Sequence, residues 1–215
     1  MNIDTQSSIN IAVAFAKKWE QLASKSADST KYFSNPESVS DDTTIYAYPD
    51  GKQGYSIGWG TYKKLSDGTD VVSGLSITKA QADNEIVAEM NRVNNQIQNK
   101  ITADINEYQY AALLDLCYNA GSGALDYKNL IDTINNGGDV ASILPTIAIT
   151  QDGIVLSNLK RRRIDESLLW KGEQDSLYSM YLQNATTINT VAIVGGVAML
   201  AGAFYWYYRK GIIKV

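Results

Sequence analysis

The sequence predicts an α+β fold with a small β-hairpin lobe, a mostly helical lobe and a single transmembrane helix at the C-terminus. The stretch YAYPDGKQGYSIGWGTY at 46–62 holds four glycines and five aromatic residues, which is typical of a β-hairpin. From residue 78 onward apolar residues recur at helical spacing. Residues 188–208 carry no charge and are long enough to cross a bilayer.

The composition restricts the chemistry that this chain can perform. Its 215 residues are 45% apolar with a net charge of −4, which indicates one domain plus an appendage, or two small domains, and gives no sign of nucleic-acid binding. The histidine count is zero, so a Ser-His-Asp triad, a Cys-His dyad and an HExxH zinc site are excluded. General acid–base chemistry falls to Asp and Glu, or less readily to Lys, Tyr or Cys. The single cysteine, Cys117, lies in an apolar run and is expected to be a buried small hydrophobe.

The first element is a helix followed by a long polar segment. INIAVAFAKKWEQLA at 9–23 has mostly helical spacing. It does not resemble a secretory signal, because Lys17 and Lys18 follow the apolar residues instead of preceding them. Residues 24–44 are rich in Ser, Asp and Thr, which predicts a long polar loop or insertion.

Helices dominate after the hairpin. Thr78 and Gln81 form the sequence pattern of a capping box at a helix start. In the last predicted helix, Arg162, Arg163 and Glu166 are expected to pair across one helical turn. The predicted helices span 80–101, 106–121, 126–138 and 159–172, and the last three end at glycines.

The C-terminal segment has the pattern of a membrane anchor. The 21 residues 188–208 are followed by a basic tail, 209–215, and are preceded by a short linker, 179–187. Four aromatic residues close the apolar run, as in an interfacial belt, and the basic tail favours the cytoplasmic or an equivalent side. The residues before the anchor would then face away from the cytoplasm. A buried core helix is the alternative, which the aromatic belt and the basic tail disfavour.

Five blocks along the chain, read in order, carry a family resemblance. They are KKWEQL at 17–22, YPDGKQGYSIGWGTY at 48–62, SITKAQADNEIVAEM at 76–90, YQYAALLDLCYNAGSGAL at 108–125 and LKRRRIDESLLW at 159–170. Together they resemble the phage-type lysozymes, the T4-lysozyme-like endolysins of glycoside hydrolase family 24. The resemblance implies a lysozyme-like α+β domain over 1–178, with a cleft between the hairpin lobe and the helical lobe.

The resemblance also implies a site and a reaction. Glu20 would be the general acid, Asp50 the second carboxylate, and Ser56 would replace a family Thr that helps to hold the attacking water. Tyr48 and Asn119 are candidates for substrate binding. Two carboxylates flanking a sugar bond suit glycoside hydrolysis, and the implied substrate is the β-1,4 bond between N-acetylmuramic acid and N-acetylglucosamine in peptidoglycan. The resemblance implies no metal and no organic cofactor.

The chain departs from the family pattern around these residues. Gln21 stands where the family has a glycine after the acid, and Thr61 stands where it has a histidine. The hairpin glycine Gly54 falls one position later than in the family. The 24–44 segment is an insertion that brings three further acids near the site in sequence: Glu37, Asp41 and Asp42.

The favoured function is a membrane-anchored muramidase of a bacteriophage, which opens the wall either during infection or at host lysis. Its partners would be peptidoglycan, a membrane, and viral membrane or capsid components. The virion membrane and the host inner membrane are the two expected locations. A lytic transglycosylase acting through Glu20 on the same bond is the nearest alternative. A non-catalytic, membrane-anchored wall-binding virion protein is the alternative from a different class.

Overall fold

A computed structural model of the chain describes residues 3–50, 54–151 and 153–172. These residues belong to one compact unit, Met1–Gly172. The predicted linker, membrane span and basic tail lie outside the described residues, so they stay predictions. Within the described ranges, no helix is both long enough and apolar enough to cross a membrane.

Helix α1 (Thr5–Glu20) begins and ends at well-defined residues. The carboxylate of Asp4 accepts a hydrogen bond from the backbone N–H of Ser7 and caps the N-terminus. One face of the helix is buried in the core, which confirms the helix predicted from the apolar spacing. The helix ends at Glu20 because the next residue, Gln21, leaves helical geometry with φ of 57° and ψ of 136°.

The polar segment after α1 folds as a loop, as predicted. Among the described residues between α1 and β1, the regular structure is a short 3₁₀ helix, Pro36–Ser38, together with isolated backbone bridges. The side chain of Ser24 is fully buried, and its hydroxyl donates to the carbonyls of Ser26 and Ser29 at 2.8 and 3.0 Å. The loop is therefore held by its own hydrogen bonds.

The β structure consists of small antiparallel sheets. Strands β2 (Tyr48–Pro49), β3 (Tyr55–Ile57) and β4 (Thr61–Tyr62) form a three-stranded sheet in that order, which confirms the predicted hairpin. Two-stranded sheets are formed by β1 (Thr44–Tyr46) with β5 (Ser76–Thr78), and by β6 (Thr150–Gln151) with β7 (Ile154–Val155).

The helices that follow are α2 (Lys79–Ile97), α3 (Glu107–Ala120), α4 (Leu130–Asn135), α5 (Val140–Ile143) and α6 (Ser157–Lys171). The capping box of Thr78 and Gln81 is present at the start of α2, as predicted. A second box, formed by Asn106 and Gln109, starts α3. Gly121 and Gly172 cap the C-termini of α3 and α6 with positive φ.

Two helix predictions were too long. The helix predicted over 80–101 ends at Ile97. The helix predicted over 126–138 is reduced to α4, preceded by 3₁₀ structure over Ser122–Asn129. Lys128 and Asn129 have φ of 52° and 56°, which no right-handed helix accommodates, so α4 begins only after them.

Helix α3 is the centre of the core and packs against both α1 and α6. Its residues from Tyr110 to Cys117 are all buried. Burial raises the pKa of the Cys117 thiol to about 12, so the side chain stays a neutral, packed group, as the sequence predicted. Helix α6 is unusual, because Arg162, Arg163 and Glu166 are buried on the side that meets the core.

Candidate active site

The two predicted carboxylates stand at the ends of neighbouring elements. Glu20 is the last residue of α1, and Asp50 directly follows β2. The chain leaving α1 is fastened to the sheet, because the backbone N–H of Ala23 donates to the carbonyl of Gly58 at 3.1 Å. Both acids are partly buried. The fold thus brings the end of α1 against the hairpin.

Tyr48 connects the predicted site residues. Ser56 is its direct cross-strand partner, and the Ser56 side chain lies close enough to the phenol to lower its pKa. Burial raises the pKa of the Tyr48 phenol above its ordinary value, and the negative charges of Glu20 and Asp50 raise it further. One partly buried tyrosine is therefore the cross-strand neighbour of Ser56 and is influenced by the charges of both carboxylates.

The register of the sheet explains which side chains share this face. Tyr48 pairs with Ser56, and Ser56 pairs with Tyr62, so the three form a row across the strands. Asp50 is two residues beyond Tyr48 and emerges on the same side of the chain. The hydrogen-bonded turn is closed by Gly54, whose backbone N–H donates to the Asp50 carboxylate at 3.3 Å.

Gly54 is required by Tyr62. A Cβ atom at position 54 would come within 2.6 Å of Cε2 and 2.8 Å of the hydroxyl oxygen of Tyr62. The tyrosine ring thus lies across the glycine backbone on the same face as Ser56. The displaced hairpin glycine of the sequence analysis therefore has a local packing reason in this chain.

Gly60 approaches the carboxylate of Glu20 closely. A Cβ atom at this position would lie 3.2 Å from Glu20 Oε2, and the residue has φ of +98°, a conformation that favours glycine. The preceding carbonyl, that of Trp59, accepts a hydrogen bond from the hydroxyl of Tyr118 at 3.0 Å. Helix α3 thus holds the turn that faces the acid.

Arg162 is the functional residue that the sequence analysis missed. It lies on α6, is only 4% exposed, and its Nη1 donates to Glu20 Oε1 at 2.5 Å. Its Nε and Nη2 donate to the two oxygens of Asp115 at 2.9 and 2.7 Å, which is a bidentate pair. Sequence spacing predicted a partner one turn away, whereas the short contacts are made to residues 142 and 47 positions away.

A second buried acid, Glu166, lies close to the pair formed by Arg162 and Asp115. Glu166 is fully buried, and its carboxylate oxygen lies 3.1 Å from Nη2 of Arg163 and 3.9 Å from Nε of Arg162. Burial raises the pKa of Glu166 well above its ordinary value, and the neighbouring charge of Asp115 raises it further. Burial therefore disfavours the ionised form of Glu166, and the bidentate contact of Arg162 is made to Asp115 instead.

Asn119 is positioned by the same helix. It lies half-buried near the end of α3, and its side-chain oxygen accepts a hydrogen bond from Nη2 of Arg163 at 2.5 Å. This contact fixes the orientation of the Asn119 amide. A role for Asn119 in substrate binding stays a prediction.

Of the insertion acids Glu37, Asp41 and Asp42, the last two have other partners. Asp41 pairs with Nζ of Lys79 at 3.2 Å, and its carbonyl accepts from the backbone N–H of Ala80 at the start of α2. Asp42 accepts from the hydroxyl of Ser40 at 2.5 Å. Glu37 is exposed in the 3₁₀ helix. Their contacts do not join them to the row of Tyr48 and Ser56.

Thr61 belongs to the other face of the sheet. It pairs with Ile57, and the positions next to them, Ser56 and Tyr62, point the opposite way. Thr61, which replaces the family histidine, therefore points to the opposite face of the sheet from the row that contains Ser56.

Asp83 of α2 joins the hairpin to the helices. Its carboxylate accepts from the indole Nε1 of Trp59 at 2.7 Å, and Nζ of Lys17 and of Lys79 lie at 2.8 and 2.7 Å. Burial alone would raise the pKa of Asp83, but the hydrogen bonds from Lys17, Lys79 and Trp59 outweigh it and lower the pKa. In the described parts of the chain, no three side chains of metal-binding type come together in a way that could hold a metal ion.

Comparison with known proteins agrees with this geometry. The model of the phage lysozyme family matches residues 41–166, which is more than half of the chain. No curated protein matches the chain significantly.

Solved structures show the same fold at low sequence identity. The endolysin from Escherichia coli O157:H7 phage FAHEc1 has a TM-score of 0.59 at 22% identity, covering 74% of this chain and 90% of its own. The muramidase domain of SpmX from Asticaccaulis excentricus has a TM-score of 0.54 at 19% identity, covering 74% and 93%. A mutant of P22 lysozyme has a TM-score of 0.57 at 20% identity, covering 79% and 98%.

These similarities confirm the lysozyme-like α+β fold, with its helical lobe and small sheets. The family match begins after Glu20, so the place of Glu20 in the site rests on its contacts with Arg162 and Gly60. The chain belongs to the phage lysozyme family and is a glycoside hydrolase of the lysozyme type.

Proposed function

We propose that this chain is a muramidase that hydrolyses the β-1,4 bond between N-acetylmuramic acid and N-acetylglucosamine in peptidoglycan. The observation that carries the proposal is the close approach of the Glu20 carboxylate, at the end of α1, to Gly60 of the hairpin that also carries Asp50 and Ser56. Two carboxylates that face one cleft are the groups that glycoside hydrolysis needs.

Glu20 acts as the general acid. Its Oε1 accepts a hydrogen bond from Arg162, so the catalytic proton is carried by Oε2. Oε2 is the atom that faces Gly60, where the missing side chain leaves room for a sugar oxygen to approach. The proton passes from Oε2 to the glycosidic oxygen as the bond to the sugar carbon breaks.

Asp50 and Ser56 hold the attacking water. Both side chains emerge on the same face of the sheet, and a carboxylate with a neighbouring hydroxyl can accept from and orient one water molecule. Asp50 acts as the base that removes the proton from this water while the water oxygen bonds to the anomeric carbon. Tyr48 is the direct cross-strand neighbour of Ser56 and packs beside it.

Loss of turbidity of purified cell walls tests this proposal on the full-length chain. Glu20→Gln is expected to lower kcat by about 10²–10⁴-fold, because an amide cannot donate the proton. Glu107→Gln, at the opposite end of α3 from Asn119, is the matched control and should retain wild-type activity. Equal lysis by wild type and Glu20→Gln would contradict the proposal.

The product of the reaction distinguishes hydrolysis from transglycosylation. A water held by Asp50 and Ser56 gives muropeptides with a reducing end, whereas internal attack by the muramic 6-hydroxyl gives anhydromuropeptides. Mass spectrometry of digested peptidoglycan separates the two products. Predominantly anhydro products would show that the water-activating role of Asp50 and Ser56 is wrong.

We also propose that residues 188–208 anchor the enzyme in a membrane with the basic tail on the cytoplasmic or equivalent side. The proposal is supported by the charge-free run, the aromatic belt and the basic residues after it. Val194→Arg in the full-length chain should shift the protein from the membrane to the soluble fraction, because a central charge disfavours insertion by about 2.5–3.5 kcal/mol. Ala185→Arg, outside the run, is the control and should stay with the membrane.

The catalytic part of an anchored enzyme has to face the cell wall. Such a protein suits either a phage particle with a membrane, opening the wall during infection, or the host inner membrane at lysis. Presence of the chain in purified virions would support the first setting. Its absence from virions, together with its presence in membranes of infected cells, would support the second.

A further inference from the structure

The loop after α1 brings an aromatic ring to the site. Tyr32 lies in this loop and is 49% exposed, which is high for a large aromatic side chain. It lies in the 24–44 insertion and precedes the residues matched by the family model, which begin at 41. An exposed tyrosine next to an enzyme cleft invites a functional explanation.

The backbone of Tyr32 is fixed beside the end of α1. Tyr32 and Ala23 form an antiparallel bridge, and the backbone N–H of Phe33 donates to the carbonyl of Leu22 at 3.1 Å. Ala23 in turn is bridged to Gly58 of the hairpin. Tyr32 therefore lies next to the chain that leaves Glu20, on a path tied to the catalytic sheet.

The loop also contacts the strand that carries Tyr48. The hydroxyl of Thr30 donates to the carbonyl of Pro49 at 3.3 Å, which joins the loop to the chain between Tyr48 and Asp50. The phenol of Tyr32 is within electrostatic range of the phenol of Tyr48. Since β2 is an edge strand of its sheet, Tyr32 stands on the β2 side of the row of Tyr48, Ser56 and Tyr62.

A second exposed ring stands at the opposite edge of the sheet. Tyr62 on β4 is 42% exposed, and β4 is separated from β2 by β3. The polar centre of the site, Tyr48 with Ser56, is thus flanked by an exposed tyrosine on each side. Pyranose rings of a glycan strand have apolar C–H faces, and a tyrosine ring offers a large contact area with little loss of conformational entropy.

We propose that Tyr32 stacks against a sugar ring of the glycan strand and so forms an additional subsite on the β2 side of the cleft. This inference rests on the proposed muramidase function. The subsite binds a carbohydrate ring next to the two sugars that are cleaved. Its contribution is to binding, so it affects the concentration of wall glycan needed for half-maximal rate more than the rate at saturation.

Kinetics of the full-length chain on soluble peptidoglycan glycan strands test the subsite. Tyr32→Ala is expected to raise KM about three- to tenfold with little change in kcat, in line with the usual strength of aromatic contacts. Tyr32→Phe keeps the ring and should stay within about twofold of wild type. The bridge to Ala23 is made by backbone atoms, so neither substitution removes it.

Tyr108→Ala is the matched control. Tyr108 is 41% exposed on the first turn of α3, and Asn119 at the other end is 11 residues, or about 16 Å, away along the helix. This variant should keep the wild-type KM. A KM for Tyr32→Ala equal to that of Tyr108→Ala, or a loss in Tyr32→Phe as large as in Tyr32→Ala, would overturn the proposal.

Binding without turnover separates this proposal from the proposed function. Full-length Glu20→Gln is mixed with purified sacculi in mild detergent, and the fraction of protein that binds is measured. The same measurement is made on the double variants that carry Tyr32→Ala or Tyr108→Ala in addition to Glu20→Gln. Weaker binding only with Tyr32→Ala supports the subsite even if the wild-type chain cleaves nothing, which would refute the hydrolase mechanism alone. Equal binding of both double variants refutes the subsite even if the wild type is active.

Discussion

Gln21 occupies a backbone conformation that suits glycine. Its φ of 57° with ψ of 136° lies in a region that side chains disfavour, and it immediately follows the proposed acid Glu20. Gln21, which stands where the family has a glycine, is therefore a residue under local backbone strain. The strain marks the point at which α1 has to stop and turn the chain toward the hairpin.

Replacing Gln21 with glycine should stabilise the protein. Relief of about 1–3 kcal/mol of backbone strain exceeds the roughly 0.5–1 kcal/mol that glycine loses through greater freedom of the unfolded chain. Chemical denaturation of the full-length chain measures the change. Gln98→Gly is the control, because Gln98 has ordinary helical angles of −54° and −37° and its replacement should destabilise. A free energy of unfolding for Gln21→Gly below that of the wild type would contradict the inference that the backbone of Gln21 is strained.

Arg162 shows why part of the site could not be predicted from the sequence. The sequence indicated pairing within α6, and the contact of Arg163 with Glu166 confirms part of it. The stronger contacts of Arg162 are with Glu20 and Asp115, which only the packing of α1, α3 and α6 brings together. Local spacing carries no information about such partners.

Removing Arg162 should harm both stability and catalysis. Arg162→Ala leaves the buried charge of Asp115 without its partner, which is expected to destabilise the fold by about 3–5 kcal/mol. Adding Asp115→Asn should restore part of the stability but not the activity, because Glu20 still lacks its guanidinium contact. Thermal unfolding and wall lysis of the single and double variants measure the two effects. Restored activity in the double variant would show that Arg162 acts only through the fold.

At the scale of elements, Asp83 is the junction between α1, α2 and the hairpin. Lys17, Lys79 and the indole of Trp59 all reach its carboxylate. The pKa of Asp83 in the folded protein is lowered, so the ionised form is favoured by folding. The stability that this contributes is present above the unfolded pKa of about 3.9 and is lost as pH falls through the lower folded pKa.

Asp83→Asn should therefore make the free energy of unfolding depend less strongly on pH in the acid range. The variant is expected to be less stable than wild type at neutral pH, and the difference should shrink as the pH falls toward the folded pKa of Asp83. Denaturant midpoints measured between neutral and acid pH give the comparison. Glu37→Gln, an exposed acid in the 3₁₀ helix, is the control. A stability difference that stays constant over this range would contradict the role of Asp83.

Elements with local signals were predictable, and those governed by single backbone angles were not. The capping box of Thr78 and Gln81, the glycine at 121 and the glycine-rich, aromatic stretch of the hairpin are all readable in the sequence. The late start of the helix predicted over 126–138 depends on positive φ at Lys128 and Asn129, which neither residue type announces. The fold of the 24–44 segment depends in turn on its contacts with Leu22, Ala23 and Pro49.

At the scale of the whole molecule, the order of the five blocks predicted the fold because each block keeps its place in the lysozyme-like core. The matched residues 41–166 contain the hairpin, α2, α3 and most of α6. Glu20 and most of the insertion lie before them, and their relation to the site follows from contacts with the hairpin and α6. The proposed enzyme combines this core with a membrane anchor at its C-terminus.

The fate of solvent oxygen during cleavage is the most direct test of the proposed mechanism. The full-length enzyme is incubated with purified peptidoglycan in water enriched in oxygen-18, and the muropeptides are analysed by mass spectrometry. A muramidase that uses water held by Asp50 and Ser56 places one oxygen-18 atom at the new reducing end of N-acetylmuramic acid, and Glu20→Gln forms no such product. Unlabelled anhydromuropeptides, or labelled product at an equal rate from Glu20→Gln, would contradict the mechanism.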